Sequence, residues 1–363
     1  MRGALVRKAG QERVEIREDL ETRPVGPGDV RIRVRASGVC HSDLSAMAGV
    51  LPNKRPFVIG HEGAGELAEV GGRVPGHLAV GGRAIVAWVP PCGHCAFCRA
   101  GEANLCTDLF AATALNPNFA LGAGREPVYG MAGTGTMAEE LVVPWQCAIP
   151  VPGDVPFDLA ALIGCGVTTG VGAVLNTARV VPGSTVAVIG CGGVGVAVIQ
   201  GARLAGAATI LAIDPSAAKR ARMSRFGATH TAAPDEVASL AAELTDGRRF
   251  DYVFECVGRS ELVRQAYDLA RRGGSVVVVG AGGRDDRVEF GMTELFYDNK
   301  RILPTFYGGA DVRTEFDRLV RLWRAGRLDL ESMITARMPI ERVDEAFDLM
   351  RAGEAVRTVI EFG

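Results

Sequence analysis

A glycine cluster set between a β-branched run and a helical stretch constrains this chain more than any other feature. Thr185–Ile189 reads as a short apolar strand, and Gly190-Cys191-Gly192-Gly193-Val194-Gly195 fits G-x-G-x-x-G. A helical stretch follows from about Val194 to Ala205. The alternation continues with strand Thr209–Ile213, a helix from about Ser216 to Phe226, strand Asp251–Phe254, a helix from about Ser260 to Arg271, and strand Ser275–Val279. Strands separated by helices pair in parallel through right-handed crossovers, so this stretch predicts an α/β, doubly wound parallel sheet. The glycines permit a tight turn and close approach of a pyrophosphate, and the helix N-terminus offers free N–H groups and positive dipole. Gly190, Gly192, Gly193, Val194 and Gly195 are therefore candidate dinucleotide contacts. Asp214 ends the next strand. Its carboxylate can accept from both adenosine ribose hydroxyls and would repel a 2′-phosphate, which favours NAD over NADP. The plainer alternative for Asp214 is a helix N-cap, with Pro215 at the first helical position. Lys219 either reaches the ribose or sits on a solvated helix face.

The regions flanking this unit have a different texture. The first 150 or so residues read as all-β: Val30-Arg31-Ile32-Arg33-Val34 alternates apolar and basic side chains, as a half-buried strand does. From about Thr314 to Gly363 the pattern gives two amphipathic helices and a closing strand, Thr358-Val359-Ile360. At 363 residues a single core becomes inefficient. The expected organisation is a discontinuous domain of 1–166 and 307–363 around an inserted dinucleotide-binding domain of 167–306. Net charge is −2 and the pI about 6.3, which offers no basic excess for binding nucleic acid. No apolar run is read as approaching the ~18 residues of a membrane helix, and no signal peptide is evident at the N-terminus. The expectation is a cytoplasmic chain with reduced thiols and no membrane partner.

In such a chain, clustered cysteines mean metal or catalysis before disulfides. Four of the nine cysteines, Cys92, Cys95, Cys98 and Cys106, read C-x2-C-x2-C-x7-C. Four thiolates so close together suit a closed tetrahedral zinc that staples a loop with little core of its own. An iron–sulfur cluster fits less well, because the last gap is seven and Thr107, not proline, follows it. His94 lies among these sulfurs and is read as a surface residue. Outside the lobe, Cys40, His61 and Cys165 each lie in a glycine-containing turn. Two thiolates and one imidazole leave one tetrahedral position open, as in a catalytic zinc. Spacing alone does not bring three such distant residues together.

Taken in order, these motifs resemble the zinc-dependent alcohol dehydrogenases of the medium-chain dehydrogenase/reductase superfamily over essentially the whole chain. The signature G-H-E-x2-G-x5-G-x2-V is complete from Gly60 to Val74, and the cysteine lobe, GCGVTTG at 164–170 and GCGGVG at 190–195 follow in family order. The resemblance implies a Rossmann domain and a mostly β, GroES-like catalytic domain, with two zinc ions per chain and NAD. Cys40, His61 and Cys165 would bind the catalytic zinc, and Cys92, Cys95, Cys98 and Cys106 the structural one. By the same resemblance Glu62 stands behind the catalytic metal, Asp43 orients the histidine ligand, and Ser42 takes the proton from the alcohol. His41 and Arg357 match pyrophosphate contacts, and Thr169 packs behind the nicotinamide. Leu51, Trp88, Met131, Phe306 and Tyr307 align with pocket-lining positions, for which plain core is the alternative.

The implied activity is reversible, zinc-assisted hydride transfer between a primary alcohol, medium-chain or benzylic, and NAD. Two departures bear on it. Ser45 stands where many members have a histidine ending the proton relay, so proton exit by water is expected. Leu44 to Gly60 has no acidic residue, whereas the glutathione-dependent formaldehyde dehydrogenase branch uses acidic residues there; that activity is not expected. The stretch between Cys106 and Gly133 is fairly long, as in dimeric members of that family, and by this resemblance a homodimer is expected rather than a tetramer with its short loop. Alternative readings are a nicotinoprotein that retains NAD and passes electrons to an external acceptor, and a non-catalytic zinc- and nucleotide-binding regulator.

Overall fold

The structure, a computed structural model, describes residues 1–363 with the exception of Asn118. The chain divides into two compact units: Met1–Gly166 with Asp311–Gly363, and Val167–Ala310. The second boundary falls at Asp311 rather than 307. Tyr307–Gly309 packs within the α/β unit, where Asn176 Nδ2 donates to the Gly308 carbonyl at 3.2 Å and Gly308 lies against Gly172.

In the α/β unit six strands pair in parallel in the order His230–Ala232, Thr209–Ile213, Thr185–Ile189, Phe250–Glu255, Ala270–Val278 and Arg301–Pro304. This is the Rossmann order, with its switch point beside the first strand. Strands Thr185–Ile189 and Thr209–Ile213 have the bounds expected from their β-branched runs. The expected helix near 216–226 is instead two short ones, Ala217–Arg220 and Met223–Phe226, joined by an Arg222 N–H to Lys219 carbonyl bond. Strand His230–Ala232 is too short to show a period in sequence, yet it flanks Thr209–Ile213. Buried Ile189, Leu211, Phe250, Val253, Tyr267 and Val276 form much of this unit's core.

The other unit is mostly β, with a six-stranded and a seven-stranded sheet. Strand Asp29–Gly38 pairs antiparallel with three strands: Glu62–Val70, Glu140–Pro144 and the tail strand Arg357–Glu361. The tail thus completes a sheet begun near the N-terminus, which makes this unit discontinuous.

The expected absence of a membrane-length apolar run needs correction. The helical run Phe157–Ala178 is long and apolar enough by length and composition, and it carries no charge after Asp158. Its glycines, alanines and threonines hide it from a scan for large apolar side chains. Some 83% of its apolar window is buried inside the protein, as in a core helix. Cys147 and Cys191 are fully buried as small core residues, whereas Cys256 is only half-buried.

Asp251 ties three parallel strands together. Its Oδ2 accepts from the Thr185 amide at 2.8 Å and hydroxyl at 2.9 Å, and its Oδ1 accepts from Arg271 Nε at 2.7 Å. Burial opposes the charge, but donation from Thr185 and Arg271 outweighs it, so the carboxyl titrates below its ordinary value. A depressed folded-state pKa contributes stability that is full above the unfolded carboxyl pKa of about 4 and is lost as pH falls through the lower folded value. Asp251→Asn should cost about 1–3 kcal/mol at pH 7, and its deficit should shrink as pH drops below about 4. Denaturant unfolding at a series of pH values checks this; a deficit that stays constant from neutral to acid pH rules it out.

Candidate functional site

Sheet register builds the first site. In the antiparallel pair of Asp29–Gly38 and Glu62–Val70, Gly38 lies opposite Glu62. Cys40, just past the end of one strand, therefore meets His61, just before the start of the other. Cys40 is also the N-cap of helix His41–Ala48. Asp43, in that helix's first turn, accepts from the Cys40 amide at 2.8 Å through Oδ2 and meets His61 Nδ1 at 3.0 Å through Oδ1. Cys165 arrives from a distant segment, on the π-helical turn Ile163–Val167. Such wide turns recur at functional sites because they re-aim a side chain without ending the helix. The neighbouring Gly166 amide donates to Glu62 Oε1 at 3.2 Å, which pins the turn to the sheet.

Ligand atoms of Cys40, His61, Glu62 and Cys165 lie within 4.8 Å of one another, and all four residues are buried. With His61 Nδ1 committed to Asp43, Nε2 is buried without a hydrogen-bond partner among the described residues. The site favours positive charge. Cys40 is held well below the ordinary thiol value, first by its hydrogen bond with Cys165 and, against burial, by His61. Burial works against a charged His61, yet the Asp43 carboxylate and Cys40 thiolate lift the imidazole to about 10. Two sulfurs and an orphaned imidazole nitrogen that together favour a cation fit zinc with one position free.

Glu62 is close enough to be a further ligand, but Arg357 holds it. The two form an ion pair, with Glu62 0% and Arg357 4% exposed. The register makes this pair, since Gly38 faces Glu62 on one side and Val359 of the tail strand on the other. Gly38 must be glycine here, because a Cβ would sit 2.2 Å from Glu62 Oε2. Ser42 is half-buried with its Oγ 3.8 Å from Cys40 Sγ, and His41 is exposed at the helix start.

The four-cysteine lobe also closes on itself. Ligand atoms of Cys92, Cys95, Cys98 and Cys106 lie within 4.8 Å of one another. The loop's own amides point at the sulfurs: Cys95 N to Cys92 Sγ at 3.2 Å, Cys92 N to Cys106 Sγ at 3.3 Å, and Cys98 N to Cys95 Sγ at 3.4 Å. The Cys98 amide is the main reason the Cys95 thiol falls to about 7. Four sulfurs with amide support fit a closed zinc shell. His94 is exposed, with Nδ1 3.5 Å from Cys92 Sγ.

In the α/β unit the glycine turn joins strand Thr185–Ile189 to helix Gly193–Leu204. A Cβ on Gly195 would lie 1.8 Å from the Gly190 carbonyl oxygen, so only glycine lets the helix start this close to the strand. Gly192, Gly193 and Val194 are half-exposed, and a Cβ on Gly192 would meet nothing within 4 Å. Asp214 bridges two turns, accepting from the Cys191 amide at 2.8 Å and the Ser216 amide at 2.8 Å. Lys219 is half-buried nearby in sequence, and Thr169 is half-buried in helix Thr168–Gly172.

The expected pocket residues separate. The Trp88 indole stands edge-on to the His61 ring, with centroids 6.0 Å apart. Leu51 is half-buried, whereas Met131 is 4% exposed and belongs to the core cluster. Phe306 and Tyr307 belong to the α/β unit, the first exposed and the second buried. Sequence reasoning missed Phe110, whose ring centroid lies 6.1 Å from that of Trp88. No motif marks it; only its place just after the cysteine lobe could have drawn notice.

Comparison with known proteins agrees with this geometry. Residues 26–153 match the alcohol dehydrogenase GroES-like domain family, and residues 193–324 the zinc-binding dehydrogenase family. The S-(hydroxymethyl)glutathione dehydrogenase of Paracoccus denitrificans is 34% identical over 363 residues, covering 94% of this chain and 96% of that protein. The chain belongs to the zinc-dependent alcohol dehydrogenases of the medium-chain dehydrogenase/reductase superfamily. Among solved structures, an alcohol dehydrogenase zinc-binding domain protein from Burkholderia ambifaria has a TM-score of 0.92 at 30% identity, covering 100% of this chain and 98% of that one. The benzyl alcohol dehydrogenase of Acinetobacter calcoaceticus has a TM-score of 0.91 at 25% identity, covering 100% and 99%. As a family member, the chain is an alcohol oxidoreductase with zinc and NAD as cofactors.

The two cysteine sets should be separable by metal analysis. Cys40→Ala should retain the zinc of the lobe, lose the other, and lose alcohol-dependent NADH formation. Cys98→Ser should lose the lobe's zinc and lower the unfolding temperature, because metal binding there is coupled to folding of the loop. Inductively coupled plasma mass spectrometry of dialysed protein checks both; full zinc content in Cys40→Ala contradicts the assignment.

Proposed function

We propose that this dehydrogenase interconverts medium-chain aliphatic or benzylic primary alcohols with their aldehydes. The observation that carries the reading is the buried Cys40–His61–Cys165 centre with Ser42 beside it and the Trp88 ring edge-on to His61. When bound, zinc supplies Lewis acidity to the substrate hydroxyl and NAD accepts the hydride. The chain's own work is orientation and proton handling. Asp43 fixes the His61 tautomer, so that Nε2 is the ligand nitrogen. Ser42 Oγ takes the hydroxyl proton, and with Ser45 in place of a relay histidine that proton leaves through water. Arg357 and the Gly166 amide hold the Glu62 carboxylate behind the metal. In the same reading His41 contacts the pyrophosphate, Thr169 backs the nicotinamide, and Lys219 with Asp214 holds the adenosine ribose; Arg357, expected on the pyrophosphate, is instead buried against Glu62.

An apolar wall at Trp88 and the lack of any acidic side chain from Leu44 to Gly60 support an apolar alcohol. The same lack argues against S-(hydroxymethyl)glutathione, the substrate in the Paracoccus relative's name. The chain is further read as a cytoplasmic homodimer. Supporting this, Met292, Phe296 and Tyr297 are exposed on helix Met292–Asp298, next in sequence to edge strand Arg301–Pro304. A second copy would cover such a surface. Multi-angle light scattering should give the mass of two chains; a monomer rules out this part of the reading.

A substrate panel with NAD and NADP tests the core of the proposal. Hexan-1-ol and benzyl alcohol with NAD should exceed ethanol, polyols and S-(hydroxymethyl)glutathione in kcat/KM. Higher turnover of any of those three sinks the substrate assignment. Removing the Asp214 carboxylate by Asp214→Ala should raise the NADP-to-NAD ratio of kcat/KM about tenfold or more, and an unchanged ratio would show that Asp214 does not select the cofactor.

A further inference from the structure

His94 sits in the cysteine lobe but takes no part in its four-sulfur set. Its Nδ1 lies 3.5 Å from Cys92 Sγ and 3.8 Å from Asp108 Oδ2, and ligand atoms of the three residues lie within 4.8 Å of one another. His94 and Asp108 are exposed, with side chains 76% and 53% open to solvent, whereas Cys92 is half-buried. Cys92 Sγ therefore stands in two donor sets. It is 3.9 Å from Cys98 Sγ within the lobe and 3.5 Å from His94 on the rim. Asp108 Oδ1 accepts from the Thr107 hydroxyl at 3.1 Å, while Oδ2 is the oxygen nearer His94.

We propose that Cys92, His94 and Asp108 form a further divalent-cation site, with the Cys92 thiolate bridging its ion and the zinc of the lobe. The dimensions suit an ion. With metal–sulfur and metal–nitrogen bonds of about 2.3 and 2.0 Å, a tetrahedral angle sets sulfur and nitrogen about 3.5 Å apart, which matches the 3.5 Å from Cys92 Sγ to His94 Nδ1. The nitrogen–oxygen edge of such a tetrahedron is about 3.4 Å, and two exposed side chains reach it from 3.8 Å by small rotations. Charge favours the site as well, because four thiolates outweigh one zinc ion and leave the lobe's shell with a net negative charge that draws a cation to its rim. Mixed sulfur, nitrogen and oxygen donors select zinc or cobalt over magnesium or calcium, which take oxygen ligands. Water completes the shell, so this ion exchanges freely, unlike the enclosed one. Once bound, it ties Asp108, at the start of helix Asp108–Ala114, to the lobe.

The test is equilibrium dialysis of full-length, zinc-loaded protein against cobalt(II), with cobalt and zinc measured by inductively coupled plasma mass spectrometry. Wild type should take up one cobalt per chain, keep both zinc ions, and show a thiolate-to-cobalt charge-transfer band. His94→Asn and Asp108→Asn should each weaken cobalt binding at least about tenfold, since loss of even a supporting partner costs about 10–100-fold in metal affinity. His230→Ala, an exposed change in the α/β unit, should leave it unaltered. Added zinc should also raise the unfolding temperature of wild type more than that of His94→Asn, because the ion binds the folded lobe. Cobalt binding in His94→Asn equal to wild type overturns the site, as does bound cobalt without the charge-transfer band. Uptake of no ion beyond the two zinc ions also overturns it. If zinc is then lost faster to a chelator from His94→Asn than from wild type, His94 is only a hydrogen-bonding support for Cys92.

Discussion

The pairing of strand Asp29–Gly38 with Glu62–Val70 is the constraint on which the catalytic unit depends. With Gly38 opposite Glu62, one strand hands over Cys40 as the other begins with His61. Because strand side chains alternate between faces, a slip of one residue would turn His61 or Cys40 to the wrong side of the sheet. The register is guarded from both sides. Strand Glu140–Pro144 pairs over Asp29–Arg33, and the tail strand Arg357–Glu361 pairs over Ala36–Gly38. The tail, remote in sequence, is therefore part of what aligns the metal ligands.

The same register creates a buried charge pair beside the Cys40–His61–Cys165 cluster. Glu62 and Arg357 are both nearly inaccessible to water, and desolvating two charges costs about what their attraction returns. Such a pair is better explained by position than by stability. Removing one partner leaves an uncompensated buried charge at a cost of about 3–5 kcal/mol, so the pair persists once formed. It keeps the Glu62 carboxylate occupied, with one oxygen on Arg357 and the other on the Gly166 amide. Cys40, His61 and Cys165 would then be left to hold the metal, with the carboxylate's charge balanced by Arg357.

What the sequence made legible follows from how local each signal is. The glycine turn could be read because its strand, turn and helix are contiguous, and strands Thr185–Ile189 and Thr209–Ile213 are dense in β-branched side chains. The cysteine lobe was legible for the same reason. Cys165 could be singled out by its residue type and glycine flanks, but its meeting with Cys40 and His61 was implied only by the family resemblance, because its π-helical turn lies inside a run of small residues with no periodicity to mark it. The Glu62–Arg357 pair, assigned in sequence to separate tasks, depends on a strand register that no local pattern encodes. The contact of Phe110 with Trp88 carries no local signal, because the fold rather than sequence spacing brings the two rings together.

The two metal centres consequently obey different physics. Cys92, Cys95, Cys98 and Cys106 come from one short loop whose own amides point at the sulfurs. Closing so short a loop costs little entropy, and without a metal the segment has little apolar core to hold it, so metal and loop order each other. Cys40, His61 and Cys165 come from segments far apart in sequence, and a sheet register, a buried carboxylate and a π-turn bring them together. A ligand set that collapsed around its ion would tend to fill the fourth place with Glu62, which is already within reach. With that carboxylate paired to Arg357, Cys40, His61 and Cys165 would be the residues to hold a zinc ion, and a fourth place would be left to a substrate oxygen.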